Sequence, residues 1–135
     1  MALVATTPND VVSVTVPARA EYLHVVRTVV GSVAARHHLT IDSIEDLRIA
    51  VDEACAQLLT ARGTTVSVKL SANGDGVSVT CSTDAEVAAW PPQGVEHSRA
   101  AQGLQGLADA VAGERTEGGP AVRVGKRSVG AGTGA

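Results

Sequence analysis

The sequence predicts a two-layer α/β sandwich, a mixed and mostly antiparallel sheet with helices on one face. Three observations carry that expectation. Alternating, β-branched segments recur along the chain, early, in the middle and near the end. Between the first and second of them lie two stretches with apolar residues at helical spacing. The apolar fraction of 44% includes no Phe, one Trp and one Tyr, so Val, Leu, Ile and Ala must build the core. A length of 135 residues supports one domain with one sizeable core. That domain is expected over 11–127, after a flexible start at 1–10 and before a disordered Gly-, Ser- and Ala-rich tail at 128–135.

In chain order, residues 11–16 alternate and are β-branched, a first strand ended by Pro17. Residues 18–38 read as a helix whose apolar face is Tyr22, Val26, Val29, Val30 and Val33. So many valines weaken intrinsic helix propensity, so packing must hold this helix. His37 and His38 stand at its negative end, where an imidazolium is favoured. With His24 and His97 they make no metal-ligand spacing, and they read as capping or surface residues.

The central helix, 42–59, organises the chain. Asp42 and Ser43 can cap its free N–H groups, with Ser43 and Asp46 or Asp42 and Glu45 as a capping box. Leu47, Val51, Ala54, Cys55 and Leu58 make one apolar face. Beside it runs a second stripe of Asp46, Ala50, Glu53 and Gln57. Glu53 and Gln57, one turn apart, can point together into a pocket; the plain alternative is the wet flank of an amphipathic helix.

After Gly63, residues 64–70 and 76–81 read as the two strands of a hairpin across Asn73-Gly74-Asp75-Gly76. Residues 83–95 read as a long loop, in which Trp90 covers the core or anchors a partner. A third helix is expected over 98–112 through Ala101, Leu104, Leu107, Ala108 and Val111, then a turn at 113–120 and a last strand at 121–127.

A formal charge of -3 and a pI near 5.7 argue against general nucleic-acid affinity, so no direct DNA contact is expected. Cys55 and Cys81 lie in apolar patterns and read as buried free thiols. The start lacks a basic-then-apolar leader, and no apolar run approaches the roughly 20 residues of a membrane span. The expectation is a soluble, cytoplasmic chain that makes no membrane contact.

This element order, with Asp46-Leu47-Arg48-Ile49-Ala50-Val51-Asp52-Glu53-Ala54-Cys55 at its centre, resembles the anti-sigma serine kinases of the histidine-kinase-like (GHKL) ATPase family. The closing run Gly118-Gly119-Pro120-Ala121-Val122-Arg123-Val124 is similar to that family's last turn and strand. The resemblance covers roughly 11–127 by element order, and its specific part is the central helix. It implies the histidine-kinase-like ATPase fold, with ATP and Mg as cofactors. It also implies Glu53 as the base that activates a hydroxyl for phosphoryl transfer, Gln57 at the amide position that holds the metal, and Asp84 as the contact to the adenine amino group. The chain departs from the family at three places. Gln57 stands where the family has asparagine, Asp84-Ala85-Glu86 lacks the glycines of an Asp-x-Gly-x-Gly turn, and Ser98 and Ala100 stand where a second Gly-x-Gly belongs. A Cβ at such positions obstructs close approach of phosphate to the backbone.

The partners implied by the resemblance are an alternative sigma factor and an anti-anti-sigma protein of the STAS type. Members of this kind are often dimers, which adds a second copy of the chain. Two readings stay open. In one, the chain is an anti-sigma regulatory factor that binds and inhibits the sigma factor, with Arg19, Arg27 and Trp90 as partner contacts, and is released by the anti-anti-sigma protein. In the other, it is an active ATP-dependent serine kinase that phosphorylates that protein. An unrelated two-layer α/β module is the third and blandest option.

Overall fold

The computed structural model describes residues 10–85, 110–116 and 119–128. Its strands are β1 (Asp10–Pro17), β2 (Thr65–Asn73), β3 (Gly76–Thr83), β4 (Ala110–Thr116) and β5 (Gly119–Arg127). They form one five-stranded sheet in the order β1-β2-β3-β5-β4, with each described pair antiparallel. Between β1 and β2 come two helices, α1 (Leu23–Ala35) and α2 (Ile41–Leu59). The expected two-layer α/β sandwich is the architecture found.

Alternation decides which face of the sheet is buried. Val66, Val68, Leu70 and Ala72 of β2, Val77, Val79 and Cys81 of β3, and Val122 and Val124 of β5 join one core with the helices. From α1 it takes Val26, Val30 and Val33; from α2 it takes Leu47, Ala50, Val51, Ala54, Cys55 and Leu58. At about 25 cal/mol per Å² of apolar surface removed from water, this shared core is what holds a valine-rich helix that propensity alone would not.

The last third of the sequence is where expectation and structure part. The third helix over 98–112 and the turn over 113–120 are both corrected at their junction, because Ala110–Thr116 is strand β4. It pairs along its length with β5, from Ala110 beside Gly125 to Thr116 beside Gly119. Ala110-Val111-Ala112-Gly113 is neutral in pattern, and the partner strand supplies the ladder that settles it. Residues 98–109 of that helix, and Trp90 with most of its loop, lie outside the described residues.

Element ends moved for local reasons. The first helix does not run 18–38: a single 3-10 turn at Ala20–Tyr22 precedes α1, and the chain leaves it through His38 in the left-handed region at φ 64°. Neither Asp42 nor Ser43 caps α2. Thr40 does, its hydroxyl accepting from the Ser43 N–H at 3.0 Å, while Asp42 lies in the first turn near the positive end. The hairpin forms as expected, with the Asn73 side chain accepting from the Asp75 N–H at 2.7 Å. Its strands run longer, to Asn73 and from Gly76 to Thr83, because pairing continues unbroken. His37 is an anchor: it meets Asp10 at 3.2 Å, and its carbonyl accepts from the Ser128 hydroxyl at 2.8 Å.

The helix α2 lies antiparallel to β5. Asp46 reaches Lys126 at one end, and Cys55 touches Cys81, the neighbour of Val122, further along. Nine helical residues and four strand residues each cover about 13 Å, so the two elements keep step. The C-terminal turn of α2 therefore sits over the end of β3 and the start of β5.

Candidate functional site

The two flanks of α2 face different neighbours. On one, Asp52 pairs with Arg27 of α1 at 3.2 Å, and Glu45 accepts from Arg48 at 2.7 Å. Gly31 of α1 faces Arg48, and a Cβ there would make ordinary contact with its side chain at 3.4 Å. The other flank holds Asp46, Ala50, Glu53 and Gln57, and Asp46 points it toward β5 by meeting Lys126 at 3.4 Å. Ala50 is fully buried, while Glu53 and Gln57 are half-buried. The Gln57 side-chain nitrogen is itself buried and has no hydrogen-bond partner among the described residues. A buried amide left unsatisfied costs free energy, and the side-chain nitrogens Arg27 Nε and Arg48 Nε share that condition. Its main-chain carbonyl is already engaged by the Thr60 N–H and hydroxyl, at 3.1 and 2.6 Å.

Just past Gln57, three segments converge. Thr83, the last inward residue of β3, is buried and donates its hydroxyl to the Thr65 carbonyl at 2.7 Å. Asp84 follows and is exposed. Its carboxylate accepts from the Thr64 N–H at 2.7 Å, the Thr65 N–H at 3.1 Å and the Thr64 hydroxyl. The hydrogen bonds from Thr64 and Thr65 hold this carboxyl at about 2, below the ordinary 3.8. Two glycines make the convergence possible. A Cβ on Gly63 would collide with the Thr83 hydroxyl and the Asp84 carboxylate, and one on Gly119 would collide with the Thr83 carbonyl.

Two other groups are tuned by burial. Desolvation raises the Asp52 carboxyl although Arg27 and Arg48 pull it down. The 3.2 Å ion pair and the upward shift disagree in sign. Desolvation wins because the cations are themselves partly solvated. The hydrogen bond with Cys55, then burial, push the Cys81 thiol well above its usual value. Both cysteines are free and buried, as expected.

The structure thus brings Glu53, Gln57 and Asp84 to one end of the sandwich, with Arg19 at the joint of β1 and α1 on the same end of the sheet. Arg19 is exposed, pairs with Glu21 at 3.4 Å and stacks over Tyr22 at 5.1 Å. Arg27 sits apart, tied to Asp52 in the helix layer. Trp90 lies outside the described residues. The reading missed Lys126, Thr83, Gly63 and the exposed Ile41 and Ile49 of α2. Only the isoleucines carried a signal, as large apolar residues off the helix's apolar face.

The residues fit a magnesium–adenine nucleotide in one half only. Gln57 has an unfilled hydrogen bond to offer. Asp84 has less to offer, because three donors from Thr64 and Thr65 already take most of the roughly four acceptor positions of the carboxylate that would read the base. The set as a whole fits that group only in part. Among the described residues no cluster of three or more His, Cys, Asp or Glu could hold a metal ion, and no helix is long and apolar enough to cross a membrane.

Comparison with known proteins agrees with the fold. A family model described as histidine kinase-like ATPase domain matches residues 16–126. The serine-protein kinase RsbW of Bacillus velezensis is 47% identical over 49 residues, 36% of this chain and 31% of that protein. The serine-protein kinase RsbW of Bacillus subtilis (strain 168) is 48% identical over 46 residues, 34% of this chain and 29% of its own length. That of Halalkalibacterium halodurans is 44% identical over 50 residues, 37% and 31% respectively. The matched stretch spans about a third of the length of these curated relatives.

Proposed function

The chain belongs to the histidine kinase-like ATPase domain family, and from that premise we propose that it is an anti-sigma regulatory factor. It binds and inhibits an alternative sigma factor, and an anti-anti-sigma protein of the STAS type releases it. The observation that carries the reading is the pairing of a family-matched scaffold with a carboxylate, Asp84, that is largely engaged within the fold. Such a chain keeps a binding scaffold and gives up part of the nucleotide site. The surface offered to a partner includes the exposed Arg19 at the sheet's end and the exposed Ile49, one turn before Glu53 on α2. Arg and exposed apolar side chains are residue types found in binding hot spots, and Arg19 steers and orients the encounter with a charged partner.

The relatives' name, serine-protein kinase, favours a second reading. There Glu53 would take the proton of a partner's serine hydroxyl, and Gln57 would meet magnesium in place of asparagine. The poor fit of Asp84 to an adenine ring weighs against it.

Calorimetric titration of the purified chain with each sigma factor of the same cell, with and without Mg-ATP, tests the proposal. Saturable binding to one sigma factor, weakened at least tenfold by Arg19→Glu or Ile49→Asp with the fold intact, is the expected result. Binding to none of them ends the anti-sigma reading. Transfer of labelled phosphate to a co-purified anti-anti-sigma protein, lost in Glu53→Ala, would instead establish the kinase.

A further inference from the structure

We propose that Asp84 is a positioning residue, a carboxylate clasp that ties the turn after α2 to the end of β3 and thereby fixes Gln57. It takes that role in place of contact with a bound base, and the inference holds whichever partner the chain captures.

The geometry around Thr64 carries it. Thr64 and Thr65 give Asp84 two main-chain N–H groups and one hydroxyl, so both carboxylate oxygens are engaged. The Thr64 carbonyl accepts from the Ala18 N–H at 3.0 Å. One residue therefore joins the end of β3, the entry of β2 and the passage from β1 to α1. On the other side of Thr64 the chain runs back to Gln57 with little freedom. Arg62 donates to the Leu59 carbonyl and takes a left-handed φ of 60°, Ala61 donates to Leu58, and Thr60 donates to Gln57. Gly63 lies so close to Thr83 and Asp84 that no side chain fits between them. Gln57 is thus held from both ends: by the helix before it and by a locked turn after it, with Asp84 as the lock. The locked turn sets where the main chain carries Gln57, whose buried side-chain nitrogen has no hydrogen-bond partner of its own among the described residues.

Side-chain alternation agrees. Val77, Val79, Cys81 and Thr83 point into the sandwich, and Asp84 is the first residue of that run to be exposed. The side chain beneath the C-terminal turn of α2 is Thr83, and Asp84 works at the rim.

Amide NMR on the full chain decides the point without any partner. Asp84→Ala and Thr64→Val should each move the Gln57 side-chain amide signals and speed hydrogen exchange at the Thr64 and Thr65 amides. Thr64→Val should have the smaller effect, because the two main-chain bonds survive it, and the double variant should add little to Asp84→Ala, whose loss already removes the acceptor of the hydroxyl. Thr64→Ser, which keeps the hydroxyl, should leave the spectrum as in the parent. Asp84→Asn keeps the volume and one acceptor, and gives the same reading in weaker form should Asp84→Ala not fold. Gln57 signals that stay in place in these variants would overturn the proposal. So would Mg-ATP shifting the Thr64 and Thr65 amides of the parent chain, since the carboxylate would then be leaving them for a ligand.

Discussion

Gly119 has little freedom. Its φ of 126° lies where side chains rarely go, and a Cβ would collide with the Thr83 carbonyl. Gly119→Ala should cost roughly 2–4 kcal/mol in urea unfolding, from backbone strain and overpacking together. Asp84 gives a pH signature. Its folded carboxyl is held at about 2, below the ordinary 3.8, so its contribution is complete above that ordinary value and disappears as pH falls through about 2. The stability gap between the parent chain and Asp84→Asn should therefore shrink between pH ~4 and ~2. Asp52, raised by burial, runs the other way but is common to both proteins and cancels. The thiols of Cys55 and Cys81, buried and with Cys81 pushed up, should resist a thiol reagent until the chain unfolds. At this scale the placement of Glu53 and Gln57 on α2 was legible, because a one-turn spacing beside an apolar face is a local pattern. The hydrogen bonds of Asp84 were not, because its donors lie 19 and 20 positions earlier in the chain.

Among the elements, α2 carries the most burial, with Leu47 and Leu58 fully enclosed. Leu58→Ala should cost about 2–5 kcal/mol, measured by thermal or urea unfolding, the spread reflecting how far the cavity collapses. His38 ends the α1 segment with a positive φ that a side chain opposes, so His38→Gly should stabilise by up to about 1 kcal/mol. The helices before β2 and the Asn73-Gly74-Asp75-Gly76 hairpin were readable because apolar period and turn chemistry agree there. β4 was not. Ala110, Ala112 and Gly113 state no preference, and the strand exists because β5 lies beside it. The cap of α2 was missed by two residues, since Thr40, Asp42 and Ser43 are all competent caps and only the main-chain geometry chooses.

For the whole molecule, the layer architecture followed from the order of periodic segments, while the spatial order β1-β2-β3-β5-β4 required the structure. That order sets α2 over β3 and β5 and gathers Glu53, Gln57 and Asp84 at one end. It sets a histidine kinase-like ATPase scaffold beside a carboxylate, Asp84, that is hydrogen-bonded within the fold, which is the basis of the proposed binding role. Such a molecule should act by occupancy, capturing its partner with no need of turnover. Run-off transcription from promoters of each alternative sigma factor of the same cell, with the purified chain added, tests this most directly. The account predicts that transcription by one sigma factor falls in proportion to the chain added, without ATP-dependent preincubation, and returns when the anti-anti-sigma protein is supplied. Undiminished transcription by every sigma factor at saturating chain would contradict it.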